Sequence, residues 1–202
     1  MDTWRRLGTA VVSDAMEALG MRRSVIFNMR CTLPDVVSAG PAFTIRQLVK
    51  HGSAAPSDRL VTHAKAVREQ ARPGQFIVID AGGFDDLSSW GEQHSRFCLE
   101  AGIGGLLMDG CIRDASKIRR MGFPAFCRGF TPLKSQWDYE TVAVNEPVMI
   151  GRVQVRPGDL IVADEDGVIV VPSSHTPQVL ELALSIEKEE KNAYMSAQKD
   201  RP

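Results

Sequence analysis

The spacing of apolar positions changes along the chain and predicts its elements. Between Thr9 and Leu19 the apolar residues recur at helical spacing, which predicts an amphipathic helix. The runs FIVIDA (76–81) and GGLLMD (104–109) are continuously apolar, as in strands buried on both faces. Helical spacing over 92–100 joins them into a strand-helix-strand unit. The middle of the protein is therefore predicted to be α/β.

Beyond Thr131 the pattern turns to short β-branched runs separated by proline and glycine, which predicts antiparallel strands and hairpins. Helical spacing returns amid many charges near the end of the chain. Because neither a linker nor a repeat interrupts the sequence, we expect a single domain over 1–202 with a C-terminal helix from about 174. Shorter segments complete the prediction: strands over 42–49 and 125–128, and helices over 64–70 and 113–121.

Composition and charge exclude several classes of protein. Apolar residues make up 44% and charged residues 24% of the chain, as in ordinary globular proteins. With 24 Lys and Arg against 25 Asp and Glu, the net charge is -1, so neither nucleic acid nor a membrane is an expected partner. The four cysteines form no CxxC pair and are expected to be buried, reduced thiols. No apolar leader or membrane-length run occurs, so a cytoplasmic location is expected.

Candidate chemistry lies where the two buried strands end, since ligands of α/β proteins gather outside the carboxyl ends of strands. The first strand runs into Gly82-Gly83 and the second into DGCIRD (109–114). A divalent cation such as Mg²⁺ often takes only one or two protein carboxylates, which suits Asp114 with Glu92 or Asp109. Arg113 could hold a substrate carboxylate with its planar fork.

Backbone N–H groups at the start of the helix near Glu92, Gln93 and His94 would add donors aimed at an anion. Each feature also has a structural explanation. Asp114 and Glu92 could offset helix dipoles, and Arg113 could be a surface ion-pair partner. Taken singly, the structural explanations are favoured, and only the coincidence of these residues favours a site.

Other polar groups are expected to be structural. The histidines lack metal-ligand spacing, and surface or packing roles are expected for all except His94, which stays open because it lies near Glu92. The others are His51, His63 and His175. Residues 164–166 could bind a metal, but an acidic hairpin turn is the favoured explanation. The basic residues predict a solvated helix face: Lys117, Arg119 and Arg120.

Segments along nearly the whole chain match one known family. They are LGTAVVSDAMEALG, GPAFTIR, PGQFIVIDAGG, WGE, GGLLMDGCIRD and PGDLIVADEDGVIVVP. The most specific is an acidic residue followed, after twenty residues, by Arg-Asp, which here is Glu92 and then Arg113-Asp114. The chain thus resembles the RraA-like proteins, which include the class II 4-hydroxy-4-methyl-2-oxoglutarate / 4-carboxy-4-hydroxy-2-oxoadipate aldolases.

The resemblance implies an αββα sandwich similar to the phosphohistidine swivelling domain, assembled as a homotrimer or homohexamer with interfacial active sites. It implies that Asp114 binds Mg²⁺ or Mn²⁺, that Glu92 acts through metal-bound water, and that Arg113 holds pyruvate. The loop containing Gly91, Gln93 and His94 would complete the substrate site. The implied reaction cleaves a 4-hydroxy-2-oxo diacid to pyruvate and a second 2-oxo acid, with oxaloacetate decarboxylation as a related activity.

The sequence departs from the aldolase pattern at Gln93 and His94, where apolar residues are expected, and at Arg96, in a helix usually rich in small residues. Arg96 could supply a second anion contact or face solvent. Two alternatives follow from the same family. One is a non-catalytic regulator that binds an endoribonuclease through its surface. The other is a metal-dependent lyase acting on a different 2-oxo or sugar acid.

Overall fold

The computed structural model describes residues 1–22, 24–50, 60–83 and 86–199. The helices are α1 (Asp2–Ala18), α2 (His63–Gln70), α3 (Glu92–Glu100), α4 (Ala115–Met121) and α5 (Thr176–Lys199). The strands are β1 (Val25–Ile26), β2 (Arg30–Cys31), β3 (Ser38–Val49), β4 (Phe76–Asp80), β5 (Ser88–Trp90), β6 (Gly105–Ile112), β7 (Ala125–Phe130), β8 (Tyr139–Val144), β9 (Val148–Ile150), β10 (Val153–Val155), β11 (Leu160–Asp164) and β12 (Gly167–Val171).

The long strand β3 belongs to two halves of one sheet. Its first part, 38–41, pairs antiparallel with β11, which continues through β12 to β1. Its middle part, 42–46, pairs parallel with β4, and parallel pairing continues through β6 to β7. Strand β8 adds antiparallel to the end of β3, and β2 adds to β7. The first half is therefore antiparallel, and the second is a mainly parallel sheet.

Alternating faces of the strands bury three apolar layers. Helices α1 and α5 pack on one face of the antiparallel half, around Val12, Val162 and Val179. The opposite face of that half meets the parallel half around Ile161, Phe76 and Phe126. The outer face of the parallel half is covered by α2, α3 and α4, whose packing residues are Val67, Cys98 and Ile118. The order helix, sheet, sheet, helix confirms the expected αββα sandwich.

Most predicted elements are present, with shifted ends. The N-terminal helix begins before Thr9, and its backbone breaks at Gly8, where φ is 74°. Strand β6 runs on to Ile112, so the helix predicted from Arg113 begins only at Ala115. The loop predicted between the two buried strands contains the strand β5, and its residues 84–85 lie outside the described residues. The C-terminal helix is α5, after a 3₁₀ turn over Ser173–His175.

Three of the four cysteines are buried, as predicted, and Cys31 is half-buried; the buried ones are Cys98, Cys111 and Cys127. Burial raises the pKa of Cys98 and of Cys127 to about 12, so both stay protonated at neutral pH. In the described part of the chain, no helix is both long and apolar enough to cross a membrane.

The acidic hairpin turn between β11 and β12 also holds the N-terminal helix. The Thr9 backbone N–H donates to Oδ2 of Asp164, and the Thr9 hydroxyl donates to Oδ1, each over 2.7 Å. Oδ1 also accepts the N–H of Asp166 at 3.0 Å, which closes the turn. Asp164 therefore caps the helix where Gly8 breaks it, and a structural role explains this acid.

Replacing Asp164 by Ala removes all three hydrogen bonds, and we expect the free energy of unfolding to fall by about 2 kcal/mol. Urea unfolding followed by circular dichroism measures the change. Asp166→Ala, in the same turn, is the matched control because the backbone of Asp166 and not its side chain makes the contact. Equal stability of the two variants would show that the cap contributes nothing.

Candidate active site

The pairing of β5 with β6 explains why Glu92 meets Arg113 and Asp114. The chain leaves β5 at Trp90, runs through α3 and a turn, and returns along β6, which lies parallel to β5. Trp90 is paired with Ile112, and the Arg113 N–H donates to the Trp90 carbonyl over 2.9 Å. The separation of twenty residues noted in the sequence is thus the length of one helix and its return strand. Both strands end at the same edge, as expected for ligand sites in α/β sheets.

A cavity of about 540 Å³ opens at this edge. It is lined by Val61, His63, Ala64, the segment 88–94, Arg113, Asp114, Lys117 and 134–136. The structure therefore brings the segment from Gly91 to His94 together with Arg113 and Asp114 at one cavity. A larger hollow, about 730 Å³, lies beside α5, but the long surface side chains around it, such as Glu187 and Lys191, pair with each other.

Asp114 has an unusual backbone that aims its carboxylate at the neighbouring helix. It precedes α4 in the left-handed conformation, with φ 60° and ψ 27°, and its side chain does not cap α4. Instead Oδ2 accepts the Glu92 N–H at the start of α3, over 3.3 Å. The Arg113 Nε lies 3.6 Å from the same oxygen. In the described chain Oδ1 makes no hydrogen bond, which leaves it for a ligand.

Glu92 lies between two cations. Its Oε1 accepts from Arg96 and its Oε2 from Lys117, each over 2.9 Å. These two contacts, led by Lys117, lower the pKa of Glu92, so the carboxylate is ionised at neutral pH. The Arg96 side chain is thus 58% exposed and forms an ion pair with Glu92 one turn earlier on α3. Lys117 is 52% exposed, as predicted for a solvated helix face, and it also lines the rim of the cavity.

Asp109, the alternative metal partner considered for Asp114, does not belong to the cavity. Its Oδ1 accepts from Nε of Arg128 over 2.6 Å, and its Oδ2 accepts the Gly151 N–H over 2.9 Å. Side chains alternate along β6, so Asp109 faces the β9–β10 hairpin. The neighbouring Asp80 also accepts from that hairpin, at the Met149 N–H, over 3.4 Å. Both carboxylates are structural, and the interpretation of Asp109 as a ligand was wrong.

The inner wall of the cavity is aromatic, a feature that was not predicted from the sequence. His94 lies with its ring centroid 5.1 Å from Trp90 and 5.2 Å from His63. Burial, followed by the charges of Arg68 and Arg113, lowers the pKa of His94 to about 4, so it is neutral at pH 7. His63 was expected to have a packing or surface role, yet it lines the cavity. His51 lies outside the described residues, and His175 is exposed in the 3₁₀ turn.

Gly91 brings the backbone close to the two functional side chains. A Cβ added there would lie 2.9 Å from Oδ2 of Asp114 and 3.0 Å from Cγ of Arg113. The backbone itself is extended, with φ -165°, so alanine suits the conformation. We expect Gly91→Ala to displace both side chains and to lower the rate of any reaction at this site at least roughly tenfold, with little loss of stability.

Gly20→Ala is the contrasting control for that prediction. An added Cβ there meets nothing within 4 Å, but φ is +67°. It should lower the free energy of unfolding by about 1–2 kcal/mol and leave the rate unchanged. Steady-state kinetics and urea unfolding of the two variants separate the effects. A wild-type rate for Gly91→Ala would show that the close approach is not functional.

The donor set suits a hard, partly hydrated cation. Asp114 offers a carboxylate oxygen that is not hydrogen-bonded to any residue the structure describes. Both oxygens of Glu92 already accept from Arg96 and Lys117, so a water between Glu92 and a cation would share these oxygens with the two side chains. Among the described residues no group of three or more histidine, cysteine, aspartate or glutamate residues could hold a metal. Mg²⁺ and Mn²⁺ accept a site with one or two carboxylates completed by water or substrate oxygens, whereas a structural zinc site would need more protein ligands.

Comparison with known proteins gives a family match over most of the chain. Residues 9–170 match the RraA-like family, described as Aldolase/RraA. A Halalkalibacterium halodurans protein named "Putative 4-hydroxy-4-methyl-2-oxoglutarate aldolase" is 37% identical over 180 residues, which cover 89% of this chain and 80% of that protein. A Thermus thermophilus protein named 4-hydroxy-4-methyl-2-oxoglutarate aldolase is 30% identical over 108 residues, which cover 54% of this chain and 65% of that protein.

A solved structure carries a different functional name. It is Streptomyces coelicolor RraAS2, described as an unusual member of the RNase ES inhibitor RraA protein family. Its TM-score is 0.80 at 31% identity, and the match covers 96% of this chain and 94% of that chain. The fold is therefore the same in a relative named for inhibition and is no guide by itself to activity.

Proposed function

Because the chain belongs to the RraA-like family, two of whose members bear the aldolase name, we propose that it is a lyase that cleaves a 4-hydroxy-2-oxo diacid to pyruvate and a second 2-oxo acid. The single observation that supports this most is the convergence of Glu92, Arg113 and Asp114 on one cavity. Oxaloacetate decarboxylation is proposed as a second activity, since both reactions pass through the same enolate of pyruvate.

Arg113 is the residue suited to bind the substrate's carboxylate. Its side chain is 44% exposed at the cavity, and its contact with Asp114 uses Nε at 3.6 Å, which leaves the terminal nitrogens for a ligand. A guanidinium binds a carboxylate through two parallel hydrogen bonds and also offsets the negative charge that grows on an enolate oxygen. The N–H groups at the start of α3, at Gln93 and His94, add donors on the same side.

Asp114 and Glu92 are the residues proposed to hold Mg²⁺ or Mn²⁺, Asp114 directly and Glu92 through water. Such a cation, when bound, supplies a Lewis acid that withdraws electrons from the 2-oxo group. Lys117 and Arg96 keep Glu92 ionised, so its oxygens accept hydrogen bonds. We propose that Glu92 orients the water through which the proton of the substrate hydroxyl leaves as the carbon-carbon bond breaks, and that the resulting enolate then takes up a proton to give pyruvate.

The cavity rim supports the proposed assembly as well. Leu133 and Trp137, which flank the lining segment 134–136, are 55% and 39% exposed. A second subunit that covered this rim would bury both side chains. We propose a homotrimer or homohexamer whose sites lie at the subunit interfaces.

Pyruvate release tests the proposed reaction. Purified protein with Mg²⁺ or Mn²⁺ is expected to release pyruvate from 4-hydroxy-4-methyl-2-oxoglutarate and from oxaloacetate, as measured by coupled lactate dehydrogenase, and a chelator should abolish this. Restoration by added Mg²⁺ excludes damage by the chelator. No release from any member of a panel of 4-hydroxy-2-oxo acids would defeat the proposal, and release only from a sugar acid would favour the other lyase.

The alternative is a regulator that binds an endoribonuclease, which the name of the Streptomyces relative favours. A regulator acts through its surface and has no need of a cavity in which an arginine and two carboxylates converge. Inhibition of ribonuclease activity by the wild-type protein, unchanged in an Arg113→Lys variant whose pyruvate release is reduced, would show that both functions exist.

A further inference from the structure

A row of buried polar side chains leads from the core to the inner wall of the cavity. The Ser89 hydroxyl donates to Oε1 of Gln47 over 2.6 Å. Nε2 of Gln47 lies 3.1 Å from Nδ1 of His63. All three residues are buried, and His63 is only 3% exposed. Because these groups are almost wholly buried, each contact fixes the proton of the next one.

These contacts determine which nitrogen of His63 carries the proton. Since Oε1 of Gln47 accepts from Ser89, the group that Gln47 turns to His63 is its NH₂, which can only donate. Nδ1 of His63 therefore accepts. Burial foremost, and then the neighbouring His94, lower the pKa of His63 to about 3, against a smaller opposing effect of the Ser89 backbone. The ring is neutral, and its proton is on Nε2.

Two enclosed nitrogens then remain without a partner. Within the described part of the chain, neither Nε2 of His63 nor Nδ1 of His94 makes a hydrogen bond. The two rings are 5.2 Å apart between centroids, with 68° between their planes. Imidazoles joined by an N–H···N bond of about 3 Å have centroids roughly 5 Å apart, and the rings of His63 and His94 lie at that separation. An enclosed donor beside an enclosed acceptor strongly favours this pairing.

We propose that His63 donates to Nδ1 of His94 and so holds His94 as an Nε2–H donor to an uncharged oxygen of the substrate tail. Nδ1 of His94 is enclosed and the residue lines the cavity, so we assign its Nε2 to the substrate. The hydroxyl or carbonyl oxygen beyond C3 of a 2-oxo acid has the required chemistry. His63 is then a positioning residue, and His94 selects the tail. This assignment of the tail rests on the proposed function.

Nitrogen-15 NMR of the imidazole rings in the full chain tests the hydrogen-bond row without catalysis. Wild-type His63 and His94 are both expected as Nε2–H tautomers. In Gln47→Met the side chain keeps about the same size but loses its N–H donor, so His63 and His94 should both become mixtures of the two tautomers. The signal of exposed His175, whose Nδ1 contacts Ser174 at 2.9 Å, should not change and serves as the control. An Nδ1–H tautomer of His94, or a His94 signal that is unchanged in Gln47→Met, would overturn the proposal.

Kinetics of His63→Phe test the selection of the tail. Phenylalanine keeps an aromatic ring but has no N–H, so the KM for 4-hydroxy-4-methyl-2-oxoglutarate should rise roughly tenfold. Inhibition by pyruvate, which has no tail, should stay at the wild-type level. Equal weakening of substrate and pyruvate binding would mean that His63 contributes only to the shape of the cavity wall, and it would overturn the proposal. If wild-type protein cleaves nothing, the proposed function fails, while the NMR result still decides whether the histidine pair exists.

Discussion

Asp114→Asn is expected to reduce pyruvate release at least roughly 100-fold, because a neutral amide cannot replace the carboxylate that faces the proposed cation. Asparagine is the appropriate replacement because residue 114 has φ 60° and asparagine tolerates the left-handed region, whereas alanine would add strain. The amide oxygen can also still accept the Glu92 N–H, so the start of α3 keeps its cap.

Binding of Mn²⁺, followed by electron paramagnetic resonance, should be lost in the same Asp114→Asn variant. Asp166→Asn is the control, since this exposed acid lies in the turn between β11 and β12, away from the cavity. The assignment of Asp114 would be untenable if the variant kept both the wild-type rate and the affinity for Mn²⁺. Loss of Mn²⁺ binding with an unchanged rate would instead separate the cation from the reaction.

Arg113→Lys is expected to lower kcat/KM for oxaloacetate roughly 10- to 100-fold, although the positive charge is kept. A lysine ammonium cannot form the two parallel hydrogen bonds with which a guanidinium binds a carboxylate. Arg120→Lys is the matched control, because Arg120 is exposed on α4 and does not line the cavity.

Pyruvate binding distinguishes the possible roles of Arg113. If this residue holds the carboxylate that pyruvate shares with the substrate, the inhibition constant for pyruvate should rise together with KM in Arg113→Lys. A variant with wild-type kinetics would leave Arg113 as a surface ion-pair partner of Asp114. Unfolding in urea should be unaffected in either case, since the side chain is 44% exposed.

Those parts of the fold that depend on local periodicity could be predicted from the sequence. The buried strands at 76–80 and 105–112 and the helix between them follow from continuous and helical apolar spacing. Strand β5 could not be predicted in this way, because Ser88 and Ser89 are polar and become strand residues only by pairing beside β6. The break at Gly8 likewise depends on Asp164, which is distant in the sequence.

The same limit applies to the site. Gly91, Glu92, Arg113 and Asp114 could be predicted because they belong to one unit of strand, helix and strand, and because the family spacing is specific. Asp109 was assigned wrongly because a sequence does not show which way a side chain at a strand end faces. Lys117 and His63 were missed because the folding of α4 and α2 against the sheet, and no local motif, brings them to the cavity.

The passage of β3 from one half of the sheet to the other has a consequence for variation in this protein. Every residue that lines the cavity comes from the parallel half or from the segments packed on its outer face. Helices α1 and α5 pack on the antiparallel half, which strand β3 connects to the parallel half. Substitutions in the α1–α5 layer can therefore change the thermal stability of the protein while its turnover is preserved. Substitutions among the cavity residues can change substrate preference while the α1–α5 layer stays the same.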